Sequence, residues 1–139
     1  MPSDWSLPQG AVFYMAHRNL RSPMPHYLIV LNADAGSDTV IVLSVISSQI
    51  EKSRMRAALR RYAPGTLVEC SPADYWPLRK NSIIDCNTCM PVPAHLFRQD
   101  VVSGTRCANI PPDLLRRILE GVRLSNLSDE LKKMLGIFP

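Results

Sequence analysis

The sequence has no apolar run long enough to cross a membrane, and this absence argues against a protein with a membrane-spanning helix. A membrane-spanning helix needs about 18 consecutive apolar residues, whereas the apolar stretches here are short and broken by turns or charges. The opening MPSDWSLPQG also lacks a basic segment followed by an apolar one, so no export signal is predicted. We therefore expect a cytoplasmic protein with no membrane partner.

A metal-binding set of cysteines and histidines is also missing. Cys86 and Cys89 form one CxxC pair, but Cys70 and Cys107 are isolated, and no second CxxC or HxxxH completes a zinc site. Thiols stay reduced in the cytosol, so the four cysteines are expected to be small, half-buried hydrophobic residues. The sequence predicts no disulfide, no metal and no cofactor.

No internal repeat and no low-complexity segment divides the chain. A domain of about this size buries roughly 68% of its unfolded surface, which is enough for a core without covalent staples. The 139 residues are therefore expected to form one domain over residues 1–139.

The apolar content is concentrated in two runs on either side of a short polar turn. His26–Asn32 and Thr39–Ile46 are rich in Val, Ile and Leu, and Asn32, Asp34 and Gly36 lie in the turn region. The pattern predicts a hairpin of two adjacent strands. Because both runs are almost continuously apolar, both strand faces should be covered, which favours a small barrel.

Shorter elements surround this hairpin. Further strands are predicted at Gln9–Met15, Thr66–Cys70 and Ser82–Cys86, while Pro91 and Pro93 indicate an edge strand or a loop. Two helices close the chain over residues 109–136. The first starts at a proline pair and places Leu115, Leu119 and Val122 on one face, and the second starts at Ser128 as N-cap. The expected fold is mainly β with α, a barrel over residues 9–98 with C-terminal helices.

A mid-chain helix over residues 49–62 is predicted from a capping box, in which Ser48 caps the backbone and Glu51 reaches back. Met55 and Leu59 belong to its apolar face, with Ala58 and Tyr62. Residues 50–61 carry one acidic and five basic side chains, so their net +4 equals the formal charge of the whole protein. Such a concentrated basic segment favours a polyanion partner, and the alternative is a solvated helix face. The basic residues are Lys52, Arg54, Arg56, Arg60 and Arg61.

Two predicted connections between strands carry further residues that could bind a ligand. The eleven residues AHRNLRSPMPH contain His17, Arg18, Arg21 and His26, and their two prolines exclude a regular helix or a central strand. The arginines form either a binding loop or ordinary solvated charge. In SPADYWPLRKN, Trp76 either stacks on a base or plugs the open end of a small barrel, which is the more common role.

The order of basic loop, PHYLIVLN, VIVLSVISS, helix and LRKNSIIDCNTCMPVP resembles the MazF/PemK-like family of toxin endoribonucleases from type II toxin–antitoxin systems. The resemblance covers residues 9–96. It implies an SH3-like barrel, an antitoxin partner and a homodimer. It also implies metal-independent cleavage of single-stranded RNA, in which the 2′-hydroxyl attacks the adjacent phosphate and leaves a cyclic phosphate.

In that family, basic loop residues and a hydroxyl at the end of the VISS-type strand supply the acid–base and phosphorane-stabilising groups. The matching positions here give His17, Arg21 and Ser47 as catalytic candidates, and His26, close to the loop exit, is an alternative to His17. The candidates for substrate binding are Arg18, His26, Ser48, Arg56, Arg60, Arg61, Trp76, Asp85 and Asn87.

The strand SIIDCN departs from the Arg-Cys-Asp sequence that some members carry, because Asp85 and Asn87 stand at the charged positions. An Asp beside a scissile phosphate is unfavourable unless it orients a histidine or pairs with an arginine. The departure favours an alternative, a non-catalytic barrel that binds nucleic acid or protein through the same surface. A third hypothesis, a cysteine hydrolase using Cys86 with a histidine, has no motif around the cysteine.

Overall fold

The computed structural model describes residues 7–20 and 22–137, which form a mixed α/β protein. No helix among these residues has the length and apolar content to cross a membrane. The strands are β1 (Val12–Met15), β2 (His26–Val30), β3 (Val40–Ser47), β4 (Leu67–Cys70), β5 (Ser82–Asp85), β6 (Met90–Pro93) and β7 (Thr105–Cys107). The helices are α1 (Ile50–Arg60), α2 (Ala94–Asp100), α3 (Pro112–Leu124) and α4 (Asp129–Met134).

The seven strands form one antiparallel sheet in the order β4-β5-β3-β2-β1-β7, with β6 also paired to β3. Strand β3 is the centre of this sheet. It pairs with β2 along one edge, while its other edge pairs first with β6 and then, at Ile46 and Ser47, with β5. The predicted hairpin of two adjacent central strands is confirmed.

Helices cover both faces of the central strands. Leu28 and Val30 of β2 pack in one apolar cluster with Phe97 of α2, whereas Ile29 packs in the other with Ile118 of α3. Successive strand residues point to opposite faces, so a strand buried on both sides requires an apolar residue at nearly every position. The prediction from the continuous apolar runs, that both faces are covered, is therefore confirmed.

The C-terminal helices begin where their sequence signals indicate. Pro111 precedes α3, and Ser128 caps α4 by accepting a hydrogen bond from the Leu131 N–H at 3.3 Å. The buried face of α3 is rotated from the predicted one: Leu114 and Ile118 are buried beside Val122, while the predicted pair at 115 and 119 is half-buried at the flank.

The prediction for the start of α1 is wrong. Gln49 occupies the N-cap without a side-chain hydrogen bond, and Ser48 is exposed. The Gln49 N–H instead donates to Ser47 Oγ at 3.0 Å, so the hydroxyl before the predicted cap holds this turn.

The predicted apolar face of α1 does not enter the core. The side chains of Met55 and Leu59 are 66% and 78% exposed. Smaller residues face the sheet instead, with Ser53 buried and Ile50 and Ala57 half-buried at helical spacing. The helix therefore presents an apolar stripe to solvent.

Trp76 does not plug the sheet, since its side chain is 76% exposed. The preceding Tyr75 is buried instead: its hydroxyl donates to the Ala108 carbonyl oxygen at 2.6 Å, and its ring meets Tyr27 edge-on at 6.1 Å. The buried aromatic residue of this connection is therefore Tyr75, and the prediction for Trp76 is wrong.

Helix α2 and strand β7 have no counterpart in the predicted elements. Helix α2 starts directly after Pro93, and β7 extends the sheet by pairing with β1. Proline at the N-cap supplies no side-chain hydrogen bond that would mark a helix start in the sequence.

Candidate functional site

A groove of about 800 Å³ lies between α1 and the connection from β1 to β2. Its floor is formed by the end of β3 with β5 and the start of β6. Five of the residues predicted from the sequence line this groove, namely His26, Ser47, Arg56, Arg60 and Asp85. The other lining residues are Asn19, Leu20, Ser22, Val45, Gln49, Lys52, Ser53, Met55, Leu59, Ile83, Thr88 and Met90.

Strand pairing brings His26 and Ser47 side by side on the groove floor. Tyr27 of β2 pairs with Ile46 of β3 in antiparallel register. Continued by one residue, this register places His26, which precedes Tyr27, opposite Ser47, which follows Ile46. Paired strands lie about 4.8 Å apart. The imidazole and the hydroxyl can therefore contact the same bound group.

The hydrogen bond at His26 fixes which ring nitrogen is free. Nδ1 lies 2.9 Å from the carbonyl oxygen of Met24, and because a carbonyl can only accept, Nδ1 carries the hydrogen. In the neutral ring, Nε2 then has an unshared lone pair. His26 is half-buried and lines the groove, which suits Nε2 to accept a proton.

Ser47 has a hydroxyl hydrogen that it can donate. Its Oγ accepts from the Gln49 N–H, and this hydrogen bond uses an oxygen lone pair rather than the hydrogen. Ser47 therefore offers a donor beside the acceptor of His26.

One wall of the groove is cationic. Lys52, Arg56 and Arg60 occur at intervals of four residues on α1 and all line the groove. The ion pairs within the described residues leave Lys52 and Arg56 without an acidic partner. The site predictions from the sequence omitted Lys52, although its four-residue spacing from Arg56 was a usable signal.

Arg54 lies on a different face of α1. It forms ion pairs with Glu51 at 2.8 Å and Glu69 at 2.7 Å. Its hydrogen bond to Glu69 raises the pKa of the Arg54 guanidinium. Part of the positive charge that the sequence analysis expected to bind a polyanion is thus neutralised by acidic side chains of the protein itself.

Asp85 contributes a carboxylate to the groove floor. Its Oδ1 accepts from the Asn87 backbone N–H at 2.9 Å and from Asn87 Nδ2 at 3.1 Å. Asn87 also donates to Thr66 Oγ1 at 2.8 Å and does not line the groove. Asn87 therefore positions the Asp85 carboxylate by hydrogen bonds made outside the groove.

His17 and Arg18, though close to His26 in sequence, are placed outside the groove. His17 is buried, with Nδ1 accepting from the Asn19 N–H at 3.1 Å and Nε2 lying 3.3 Å from Asp100 Oδ2. Arg18 donates to both oxygens of Asp100 at 2.9 Å. These interactions tie the loop to the end of α2, so His17 has a structural environment rather than a catalytic one.

The remaining predicted residues are dispersed. Ser48, Arg61 and Trp76 are exposed and do not line the groove. Arg61 ends α1 in the left-handed region, with φ 54°. Arg21 lies outside the described residues.

The CxxC cysteines are not arranged for catalysis. Burial raises the pKa of the Cys86 thiol, and it raises the pKa of Cys89 to about 12. Neither residue lines the groove. Within the part of the chain that the structure describes, no group of three His, Cys, Asp or Glu side chains is placed to hold a metal ion.

A second groove, of about 860 Å³, lies between β4 and α3. Leu67, Leu115 and Leu119 line it together with charged residues of α3, but it contains none of the residues predicted as catalytic. It has no histidine and no hydroxyl side chain among its lining residues, so it lacks the acid–base groups present in the first groove.

No protein-family model matches this chain, and no curated protein sequence matches it.

Proposed function

We propose that the groove beneath α1 binds single-stranded RNA and cleaves it without a metal ion, through attack of the 2′-hydroxyl on the adjacent phosphate. The observation that carries this proposal is the placement of a free His26 Nε2 beside the Ser47 hydroxyl, under a wall of three cations. A proton acceptor, a neutral donor and positive charge are the parts that this reaction needs.

In the proposed reaction, His26 Nε2 takes the proton from the ribose 2′-hydroxyl. The 2′-oxygen forms a bond to phosphorus, the bond to the 5′-oxygen breaks, and a 2′,3′-cyclic phosphate results. Ser47 donates a hydrogen bond to a non-bridging oxygen. Arg56 stabilises the negative charge that develops on the phosphorane and the leaving oxygen, which then takes a proton from water.

The resemblance assigns Arg21 to the phosphorane as well. We retain Arg21 as a proposed catalytic residue on that resemblance alone, and assign the histidine role to His26 instead of His17.

The proposed family is the MazF/PemK-like toxins, with an SH3-like barrel as the finer fold. Support comes from the central hairpin, the hydroxyl-ended β3, the helix that follows it and the antiparallel sheet around them. A type II toxin would have an antitoxin partner. The exposed Met55 and Leu59 among cations of α1 suit an acidic amphipathic segment of such a partner. A homodimer and a cytoplasmic location complete the proposal.

An RNA with 2′-deoxyribose at the cleavage position tests the chemistry. We expect this RNA to bind as well as its all-ribose counterpart and to resist cleavage, since the nucleophile is missing. The all-ribose product should end in a cyclic phosphate, in the presence of EDTA as in its absence. Cleavage of the deoxy-substituted RNA, or loss of activity in EDTA with recovery on adding a metal, would contradict the mechanism.

The Asp85 carboxylate favours a second candidate, an RNA-binding protein without nuclease activity. A carboxylate on the groove floor repels a phosphate placed against it. The same experiment separates the two candidates, because RNA binding without cleavage by folded, partner-free protein is the result expected of the binding protein.

A further inference from the structure

We propose that Asp85 selects the base bound in the groove by accepting a hydrogen bond from the exocyclic N4 amino group of cytosine. The inference rests on the proposed binding of single-stranded RNA, and it names the class of base that this groove accepts.

The first step is that the structure fixes one oxygen of the Asp85 carboxylate. Oδ1 accepts two hydrogen bonds from Asn87, through the backbone N–H at 2.9 Å and Nδ2 at 3.1 Å. Asn87 is itself held by Thr66 at 2.8 Å. The carboxylate plane is therefore set before any ligand binds.

The second oxygen lacks the partner that a buried acceptor needs. Asp85 is 7% exposed, and its Oδ2, with less than 1 Å² of accessible area, has no hydrogen-bond partner within the described residues. Buried polar atoms are almost always hydrogen-bonded, and an exception calls for an explanation. Because Asp85 lines the groove, a ligand in the groove can supply the donor. Rearrangement of the side chains that cover Oδ2, which is common on binding, gives the ligand access while Asn87 continues to hold Oδ1.

The charge distribution indicates which part of an RNA supplies that donor. Phosphates are drawn to Lys52 and Arg56 on the α1 wall, and a carboxylate repels them. Bases of single-stranded RNA are splayed out and recognised on their Watson–Crick edges. An acidic side chain accepts from the cytosine N4 amino group, whereas uracil presents an oxygen at the same ring position.

Binding of short DNA oligomers tests the inference without cleavage, since they lack the 2′-hydroxyl. Fluorescence anisotropy should give tighter binding to oligo(dC) than to oligo(dU), by about 10-fold to 100-fold, the worth of one hydrogen bond to a charged group. Replacing cytosine by N4,N4-dimethylcytosine, which has no amino hydrogen, should remove the preference in the unmodified protein.

The Asp85→Asn variant should reverse the preference. Asn87 still requires an acceptor, so the new amide keeps its oxygen toward Asn87 and turns its NH₂ group to the groove. A donor then meets the uracil oxygen, and binding should favour oligo(dU). Asp113→Asn is the matched control, because it removes the same charge from an 89% exposed side chain outside the groove.

Reversal in Asp85→Asn alone supports the inference. Should this variant fail to fold by circular dichroism, the dimethylcytosine result on the unmodified protein decides. Equal binding of oligo(dC) and oligo(dU) by the unmodified protein, with RNA cleavage intact, overturns base selection by Asp85 and leaves the proposed function standing. Absence of binding to any oligomer or RNA overturns both.

Discussion

The Nδ1–H of His26 donates to the carbonyl oxygen of Met24 at 2.9 Å. This local hydrogen bond, between residues that flank Pro25, holds the imidazole with its other nitrogen free. Removal of the ring should therefore remove proton transfer and leave the rest of the groove unchanged. We expect His26→Ala to lower RNA cleavage by about 100-fold to 1,000-fold while RNA binding is retained.

His95→Ala is the control for this variant, because His95 is exposed on α2 and lies outside the groove. Single-turnover cleavage rates at saturating protein give the comparison. Equal losses in the two variants would remove His26 from the proposed mechanism.

His17→Ala should act on stability instead. The change removes a buried imidazole, and with it the 3.1 Å acceptor of the Asn19 N–H and the 3.3 Å neighbour of Asp100. We expect the free energy of unfolding to fall by about 1–3 kcal/mol. The exposed ion pair of Arg18 should matter less, with a loss of about 0–1 kcal/mol in Arg18→Ala. Urea unfolding measures both, and an undiminished stability in His17→Ala would contradict the structural role.

The two histidines illustrate what the sequence can and cannot predict about the site. Both belong to the basic stretch of residues 16–26, but His17 lies in the connection whereas His26 begins β2 and lines the groove with Ser47 at the end of β3. The choice between them depends on the path of the loop. That path is set by Asp100, which is far along the chain and carries no local signal.

The fold also contains one feature that the sequence predicted and one that it did not. The central hairpin was predictable because a continuous apolar run reports directly on two covered faces. The exposure of Met55 and Leu59 could not be predicted. An apolar stripe on a helix has the same sequence pattern whether it packs against the core or lines a groove.

Close packing between α3 and the sheet gives another prediction. A Cβ atom at Gly121 would lie 2.7 Å from Cys86 Sγ and 3.2 Å from the Gly65 carbonyl oxygen. In a helix interior, alanine is otherwise favoured over glycine by about 1 kcal/mol. Gly121→Ala should nevertheless destabilise the protein by about 1–3 kcal/mol, through overpacking. A stabilised variant in urea unfolding would contradict this account of the packing.

The thiols should differ in reactivity. Burial raises the pKa of Cys86 and of Cys89, and the thiolate is the reactive form. We expect slow modification of both by a thiol reagent at neutral pH in the folded protein. In denaturant without reductant all four cysteines should react, as the sequence prediction of no disulfide requires. Mass spectrometry of the labelled peptides identifies the sites, and rapid labelling of Cys86 in the folded state would contradict its burial.

The cationic wall of α1 leads to the last prediction, which concerns affinity rather than chemistry. If Lys52, Arg56 and Arg60 each neutralise a phosphate, changing all three to Gln should make the negative slope of log affinity against log salt shallower by about 0.7 for each phosphate that is no longer neutralised. The control changes Arg54, Arg116 and Arg123 to Gln. It removes equal charge from arginines that already pair with acidic side chains of the protein. RNA binding titrations over a range of salt concentrations give both slopes. The control slope should match that of the unmodified protein, because these paired guanidinium groups lie outside the groove. Equal slopes in all three proteins would show that the α1 cations are solvated and do not contact RNA phosphates.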